Sequence, residues 1–410
     1  MRIPVRLVVL CLFSMALIMC LTACSGFVST PTPVYTPLPK VTMNYAAADT
    51  FNNRVLIYNT PFSTDESASV VLGQADFTHG ALLPIAANTF NSPTYVTVDS
   101  SGNLYVADLN NCRVLQFKPP FTNNMNASVV IGQATPTAST CTTISASALN
   151  RVTGLEFDGD GDLWVSDFGN SRILEFVPPF SNGMSATVVL GQADFTHGAI
   201  NQGLAAPTAK TLDQPEGMAF DSSHNLWVAD SYNHRVLEYM PPFSTDMAAS
   251  VELGQPVATA FTSNTPNNGG ISATSMNFPL QPVIDGDGEL WVSEYGNNRI
   301  LEFLQPFSTG MAATLELGQP SGATAFTTNA PHSNQSGFIQ LYSISFDTQG
   351  NMQAVDSGNN RVMIFNPPYS NGMNATSVIG QADFTHVLAN QGLGAPTAST
   401  LNEPWGGVTY

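Results

Sequence analysis

Three groups of residues in this sequence have types and spacings that chemistry uses. Six histidines, His79, His197, His224, His234, His332 and His386, raise zinc as a candidate. Two acidic runs, Asp158-Gly-Asp-Gly-Asp162 and Asp285-Gly-Asp-Gly-Glu289, look like the opening of a calcium loop. An acid also stands five residues before an arginine six times over: Asp49 and Arg54, Asp108 and Arg113, Asp167 and Arg172, Asp230 and Arg235, Glu294 and Arg299, Asp356 and Arg361. Such a pair can serve a reaction or hold a chain together by charge-assisted hydrogen bonds.

Spacing weighs the three. The arginines are separated by 59, 59, 63, 64 and 62 residues. Twenty residues after each comes a Gln preceded by Gly: Gln74, Gln133, Gln192, Gln255, Gln319 and Gln381. Nine residues before the acid stand Asp99, Asp158, Asp221, Asp285 and Asp347. An active site needs one arrangement, whereas a repeating fold needs the same one in every unit. The acid–arginine pairs are therefore expected to be structural, bonded within or between repeats. Histidine follows no such rule. His79, His197 and His386 fall five residues after a repeat Gln in three units that make no symmetric triad; His224 and His234 fall in turns of one unit, and His332 in an Asn-rich loop. The acidic runs lack the Gly at position six and the Glu at position twelve of an EF-hand, Leu163 and Gly169 standing there in the first copy. No cofactor is assigned on this pattern; calcium at the acidic runs and zinc at the histidines are the candidates left open. No Gly-x-Ser-x-Gly, phosphate loop or dinucleotide fingerprint is present.

The elements that must position these residues are short strands. In the fourth unit, Gly217–Phe220, Leu226–Ala229, Val236–Tyr239 and Ser250–Leu253 read as four strands, with an Asp-Ser-Ser-His-Asn turn after the first and Pro241-Pro242 after the third. Four antiparallel strands and a long connection, repeated six times, describe an all-β, six-bladed propeller over residues 41–410. The first unit begins at Val41-Thr-Met-Asn-Tyr45, already in its second strand, and Leu401–Tyr410 aligns with Leu212–Asp221. The C-terminal strand is therefore expected to complete the first blade and close the ring, removing the exposed edges an open array would present. Tyr105, Trp164, Trp227 and Trp291 recur on the second strand and are expected in the core.

Pro-x-Gly at the first strand, Asn-Leu-Trp-Val-Ala-Asp at the second and Asn-x-Arg-Val-Leu at the third resemble the NHL repeat. That resemblance covers 41–410 and implies a six-bladed propeller of the kind found in secreted sensor domains and in peptidylglycine amidating lyase. The Gly-Gln-Ala-Asp-Phe-Thr-His segments and Pro-Pro-Phe turns are similar to those of bacterial NHL lipoproteins. The amidating lyase uses histidines and metals on its propeller, so the resemblance also implies an alternative, a lyase or lactonase with a divalent metal in the central channel.

Strand alternation puts the turn between strands two and three on the same face as the connection from strand four to the next blade. This loop face carries the insertions of 25 to 30 residues between each Gln and the next Asp, and long loops on a rigid scaffold are where recognition usually lies. Cys112 and Cys141 both fall on the loop face of one blade, so a disulfide between them is expected in an oxidising compartment.

Residues 1–24 read as an address. Arg2 and Arg6 precede an apolar run from Leu7 to Met19, and Leu21-Thr22-Ala23-Cys24 resembles a bacterial lipoprotein processing box, implying lipidation of Cys24. Residues 25–40, rich in Ser, Thr and Pro, read as an extended tether with a reach of about 40 to 50 Å. Charged residues make up only 10% of the chain, and the net charge of −18 deepens to −20 once Arg2 and Arg6 are removed with the leader. So acidic a surface repels phosphate backbones and argues against nucleic acid. The expectation is a monomer, lipid-anchored outside a bacterial membrane. It binds or scaffolds a protein, peptide or glycan on its loop face and performs no catalysis.

Overall fold

A computed structural model describes residues 44–60 and 62–410. The leader, Cys24 and the tether lie outside these residues. No helix among the described residues is long and apolar enough to cross a membrane.

Six four-stranded antiparallel sheets form the six blades of a propeller. The innermost strands are Gly406–Thr409, Pro93–Val98, Val152–Phe157, Met218–Phe220, Pro279–Ile284 and Leu341–Phe346, for blades one to six in turn. The outermost are three residues long, which leaves little edge to pair with another chain. Ring closure follows the expected route: Gly406–Thr409 pairs with Asn44–Asp49, Tyr45 opposite Thr409 and Ala48 opposite Gly406. Tyr410 N–H and Asn44 N–H extend the pairing at 2.9 and 2.8 Å.

Alternation along each strand sends apolar residues to both faces of the sheet, so each blade buries one face against each neighbour. Trp227 and Val236 of blade four, for example, pack with Leu290, Val292 and Leu301 of blade five. Trp164, Trp227 and Trp291 are almost wholly buried, and each indole N–H donates to Asp158, Asp221 or Asp285 at 2.9 to 3.2 Å.

The turn between strands two and three is one turn of 3-10 helix in five blades, as in Ser231–Asn233, and in all six it is followed by a residue in the left-handed region: Asn53, Cys112, Ser171, His234, Asn298 or Asn360. The acid that opens the turn and the arginine that follows it are fully buried in all six copies, with Nε to carboxylate distances of 2.5 to 2.7 Å. Around the pair the carboxylate also accepts the turn Asn amide and a backbone N–H that leads into the innermost strand of the same blade. Asp230, for instance, takes Asn233 Nδ2 at 2.8 Å and Asp213 N–H at 2.7 Å. Burial pushes these carboxyls above their ordinary range against the pull of the guanidinium.

Each arginine reaches further, into the connection that precedes it and, in every blade but the fourth, into the one that follows. Arg172 donates through Nη2 to Ser145 O and Ala148 O of the preceding connection and through Nη1 to Phe195 O of the following one. The repeat Gln does similar work, Gln192 Nε2 donating to Ser171 O and Ala199 O. The insertions are consequently not free loops. Within Pro256–Met276, Ser272 O and Ser275 O accept from Arg299, and Met276 is fully buried.

Candidate functional site

Cys112 and Cys141 form a disulfide on the loop face, with Cα atoms 5.5 Å apart. The histidines scatter. His79, His197 and His386 are exposed and pair with Asp76, Asp194 and Asp383 three residues earlier. His234 is only 6% exposed, and its Nδ1 accepts Phe278 N–H at 3.1 Å, which links blade four to blade five. Asn53, Ser171, Asn298 and Asn360 accept a backbone N–H of the next blade from the same repeat position, so His234 performs a structural task in different chemistry. Burial lowers its pKa to about 4 and keeps it a neutral acceptor.

The acidic runs form the turns between strands one and two, on the opposite face. Asp158 Oδ1 accepts Asp160 N–H and Asp162 N–H, while Oδ2 accepts Trp164 Nε1. Carboxylate oxygens of Asp158, Asp162 and Glu175 lie within 4.8 Å of one another there. In blades two, four and six an Asn at the position of Asp162 instead donates its amide to the turn Asp.

The site that the fold assembles lies where the innermost strands begin, at the loop-face mouth of the central channel. Residues at this level differ from blade to blade. Five positions before the residue that follows each innermost strand (Asp99, Asp158, Asp221, Asp285, Asp347 and Tyr410), the six blades carry Thr94, Thr153, Glu216, Leu280, Tyr342 and Trp405. Aromatic rings from these positions and from the neighbouring turns meet around the opening. Tyr342 and Trp405 stack at 4.6 Å with a 13° interplanar angle, Tyr295 meets Tyr342 edge-on at 5.5 Å, and Phe51 meets Trp405 at 6.3 Å. On the other side Tyr232 meets Phe278 at 4.8 Å and Phe168 at 6.1 Å, and Arg151 lies 5.2 Å over Phe168. Phe51 and Tyr232 are 51% and 43% exposed, a large apolar surface to leave in water without use.

Below the mouth the channel narrows to a funnel of about 20 Å³ lined by Thr153, Glu216, Gln281, Tyr342, Ser343 and Trp405. Glu216 makes no ion pair among the described residues, and burial raises its carboxyl to about 8 although a Thr153 hydrogen bond and the Arg151 charge pull it down. A second cavity of about 190 Å³ opens towards the far face, bordered by Tyr95, Glu156 and Gln281. Burial raises Glu156 to about 8 as well. No histidine or cysteine lies on the six innermost strands, and each cavity offers one carboxylate. This donor set does not fit a divalent metal in the channel, which needs three or more protein ligands.

The strand count, closure and loop face place this protein among the β-propellers. Two of its segments, residues 90–117 and 212–239, match the NHL repeat, each running from the end of an insertion through the third strand of its blade. No curated protein matches the sequence. Among solved structures, virginiamycin B lyase from Staphylococcus aureus is similar at 12% identity and a TM-score of 0.42, over 77% of this chain and 75% of that one. A protein of unknown function from Bacteroides caccae is similar at 8% identity and 0.48, over 90% and 98% of the two chains. A nidogen–laminin complex is similar at 13% identity and 0.48, over 90% and 98%. None of these likenesses transfers an activity to this chain.

Proposed function

We propose that this protein is a lipid-anchored, extracytoplasmic binding module that holds a protein, peptide or glycan on its loop face without catalysing a reaction. The observation that carries this reading is the convergence of unrepeated aromatic and charged side chains at the channel mouth. Repeated residues serve the fold in every blade, whereas Phe51 and Tyr232 at one turn position, Tyr295 beside it, Glu216, Tyr342 and Trp405 at one strand-one position, and Arg151 are replaced by other residue types in the remaining blades and still gather in one place. Aromatic residues with a polar rim are the usual composition of a recognition surface. The arginine and glutamine bonds hold the surrounding connections in place, which lowers the ordering cost of binding. Asn44 begins its strand on the face opposite the mouth.

The test is retention of components from the native cell envelope by immobilised protein. Wild type is expected to retain a component that the Phe51→Ala/Tyr232→Ala variant loses, both rings being exposed and their removal harmless to the core. Equal retention by both would refute the loop-face reading.

A further inference from the structure

The funnel beneath the aromatic mouth has an unusual balance of hydrogen-bonding groups. Gln281 is 2% exposed, its Nε2 donates to Met218 O and Pro282 O at 3.1 and 2.8 Å, and its Oε1 has no partner. Ser343 is also 2% exposed, and its hydroxyl has no partner. Glu216 adds a carboxylate that feels the Arg151 charge but makes no ion pair among the described residues. All three line one cavity with the stacked rings of Tyr342 and Trp405. Buried acceptors are rarely left unmade, so two in one place beside a carboxylate with no ion pair call for a donor.

We propose that this funnel seats a primary ammonium group, the side-chain amine of a lysine on a partner polypeptide. An ammonium carries three donors and no acceptor, which complements a carboxylate, an amide oxygen and a hydroxyl. The aromatic faces beside it attract a cation. Size selects the same group. A volume of about 20 Å³ holds a single water-sized centre, enough for an ammonium on a slender alkyl stem and too little for a sugar ring or a planar guanidinium. A chain with net charge −18 also draws cationic partners towards it. Burial raises the carboxyl of Glu216, and a cation beside it would draw it back towards its ordinary range.

This inference rests on the loop face being the binding surface, and the experiment separates the two. Trp405 is the one tryptophan at the mouth, the other three being buried in the core, so its emission reports the funnel. Full-length protein is titrated at pH 9 and constant ionic strength with n-butylammonium chloride, with n-butanol and tetramethylammonium chloride as controls. The expected result is a saturable change with n-butylammonium alone, weakened at least about tenfold in Glu216→Gln, the effect of losing one charge-assisted hydrogen bond. Circular dichroism and the thermal midpoint establish that Glu216→Gln is folded. Equal responses to n-butanol and n-butylammonium, or affinity in Glu216→Gln within about twofold of wild type, would overturn the proposal. If Phe51→Ala/Tyr232→Ala loses the envelope component while Glu216→Gln keeps it, the ammonium site fails and the loop-face reading stands. If ammonium binds the funnel but neither variant affects retention, the loop-face reading fails instead.

Discussion

At the scale of single residues, one repeat position carries different chemistry for one task. Asn53, Ser171, His234, Asn298 and Asn360 each accept a backbone N–H that leads into the next blade. An imidazole can do this only while its Nδ1 is unprotonated, and burial holds the pKa of His234 near 4, below its ordinary 6.5. The unfolded chain then takes up a proton more readily than the folded one, so the contribution of His234 is present above pH 6.5 and lost as pH falls towards 4. His234→Asn keeps an acceptor of similar reach that does not titrate. We expect the variant to match wild type near pH 7.5 and to hold its thermal midpoint better at pH 4.5. Parallel midpoints across that range would show that the imidazole carries no such linkage.

At the scale of elements, blades four and five satisfy their arginines differently from the others. In blades one, three and six, Arg54, Arg172 and Arg361 donate through Nη1 to Phe77 O, Phe195 O and Phe384 O, and in blade two Arg113 reaches Pro136 O. The middle of the outermost strand is Val in those four blades, Val71, Val130, Val189 and Val378. Blades four and five place Glu252 and Glu316 there instead. Their carboxylates accept Arg235 and Arg299 Nη1 at 3.0 and 3.1 Å and, through the other oxygen, Phe261 and Phe326 N–H at 2.6 Å. In both blades the repeat Gln is followed by Pro, where the others have Ala; in blade four the side chain stands where the other blades present a backbone carbonyl, and in blade five it is joined by Phe326 O, which accepts Arg299 Nη1 at 3.4 Å. Glu252→Val should leave one buried and one partly buried donor unpaired and cost about 2 to 4 kcal/mol in urea unfolding. A loss below about 0.5 kcal/mol, the scale of an ordinary surface change, would mean the connection readjusts. The contrast explains what was legible beforehand. Strand positions, ring closure and the indel-free core follow from residues whose spacing repeats, so counting finds them. Glu252 and Glu316 break the repeat, and their role depends on how a connection routes in space. The mouth was invisible for the same reason: Tyr342, Trp405 and Glu216 are far apart in the chain, and only closure of the ring brings them to one opening. The signal that was available is variation, because Thr94, Thr153, Glu216, Leu280, Tyr342 and Trp405 share one repeat position and almost no chemistry.

At the scale of the whole molecule, a propeller arranges six inner strands around an axis, and whatever titrates on that axis is shielded by every blade at once. Glu156 and Glu216 sit there, each pushed from an ordinary 4.5 to about 8 chiefly by burial, without an ion pair among the described residues. A raised carboxyl pKa means that the folded state holds its proton longer than the unfolded state. The stabilising contribution is therefore full below pH 4.5 and is lost as pH rises from 4.5 to 8, opposite in sign to that of His234. The two gradients oppose each other between pH 4.5 and 6.5, and above that range the channel acids act alone. Both side chains keep some surface open to the channel, so water moderates the effect without reversing its sign. Glu156→Gln is the cleaner probe because Glu156 lines the far cavity, away from the ammonium funnel. Its carboxamide stays neutral at every pH, so the drop in thermal midpoint from pH 5 to pH 9 should be smaller than in wild type, with the two proteins converging at pH 5. An unchanged drop would show that Glu156 is solvated through the channel and titrates near its ordinary pH.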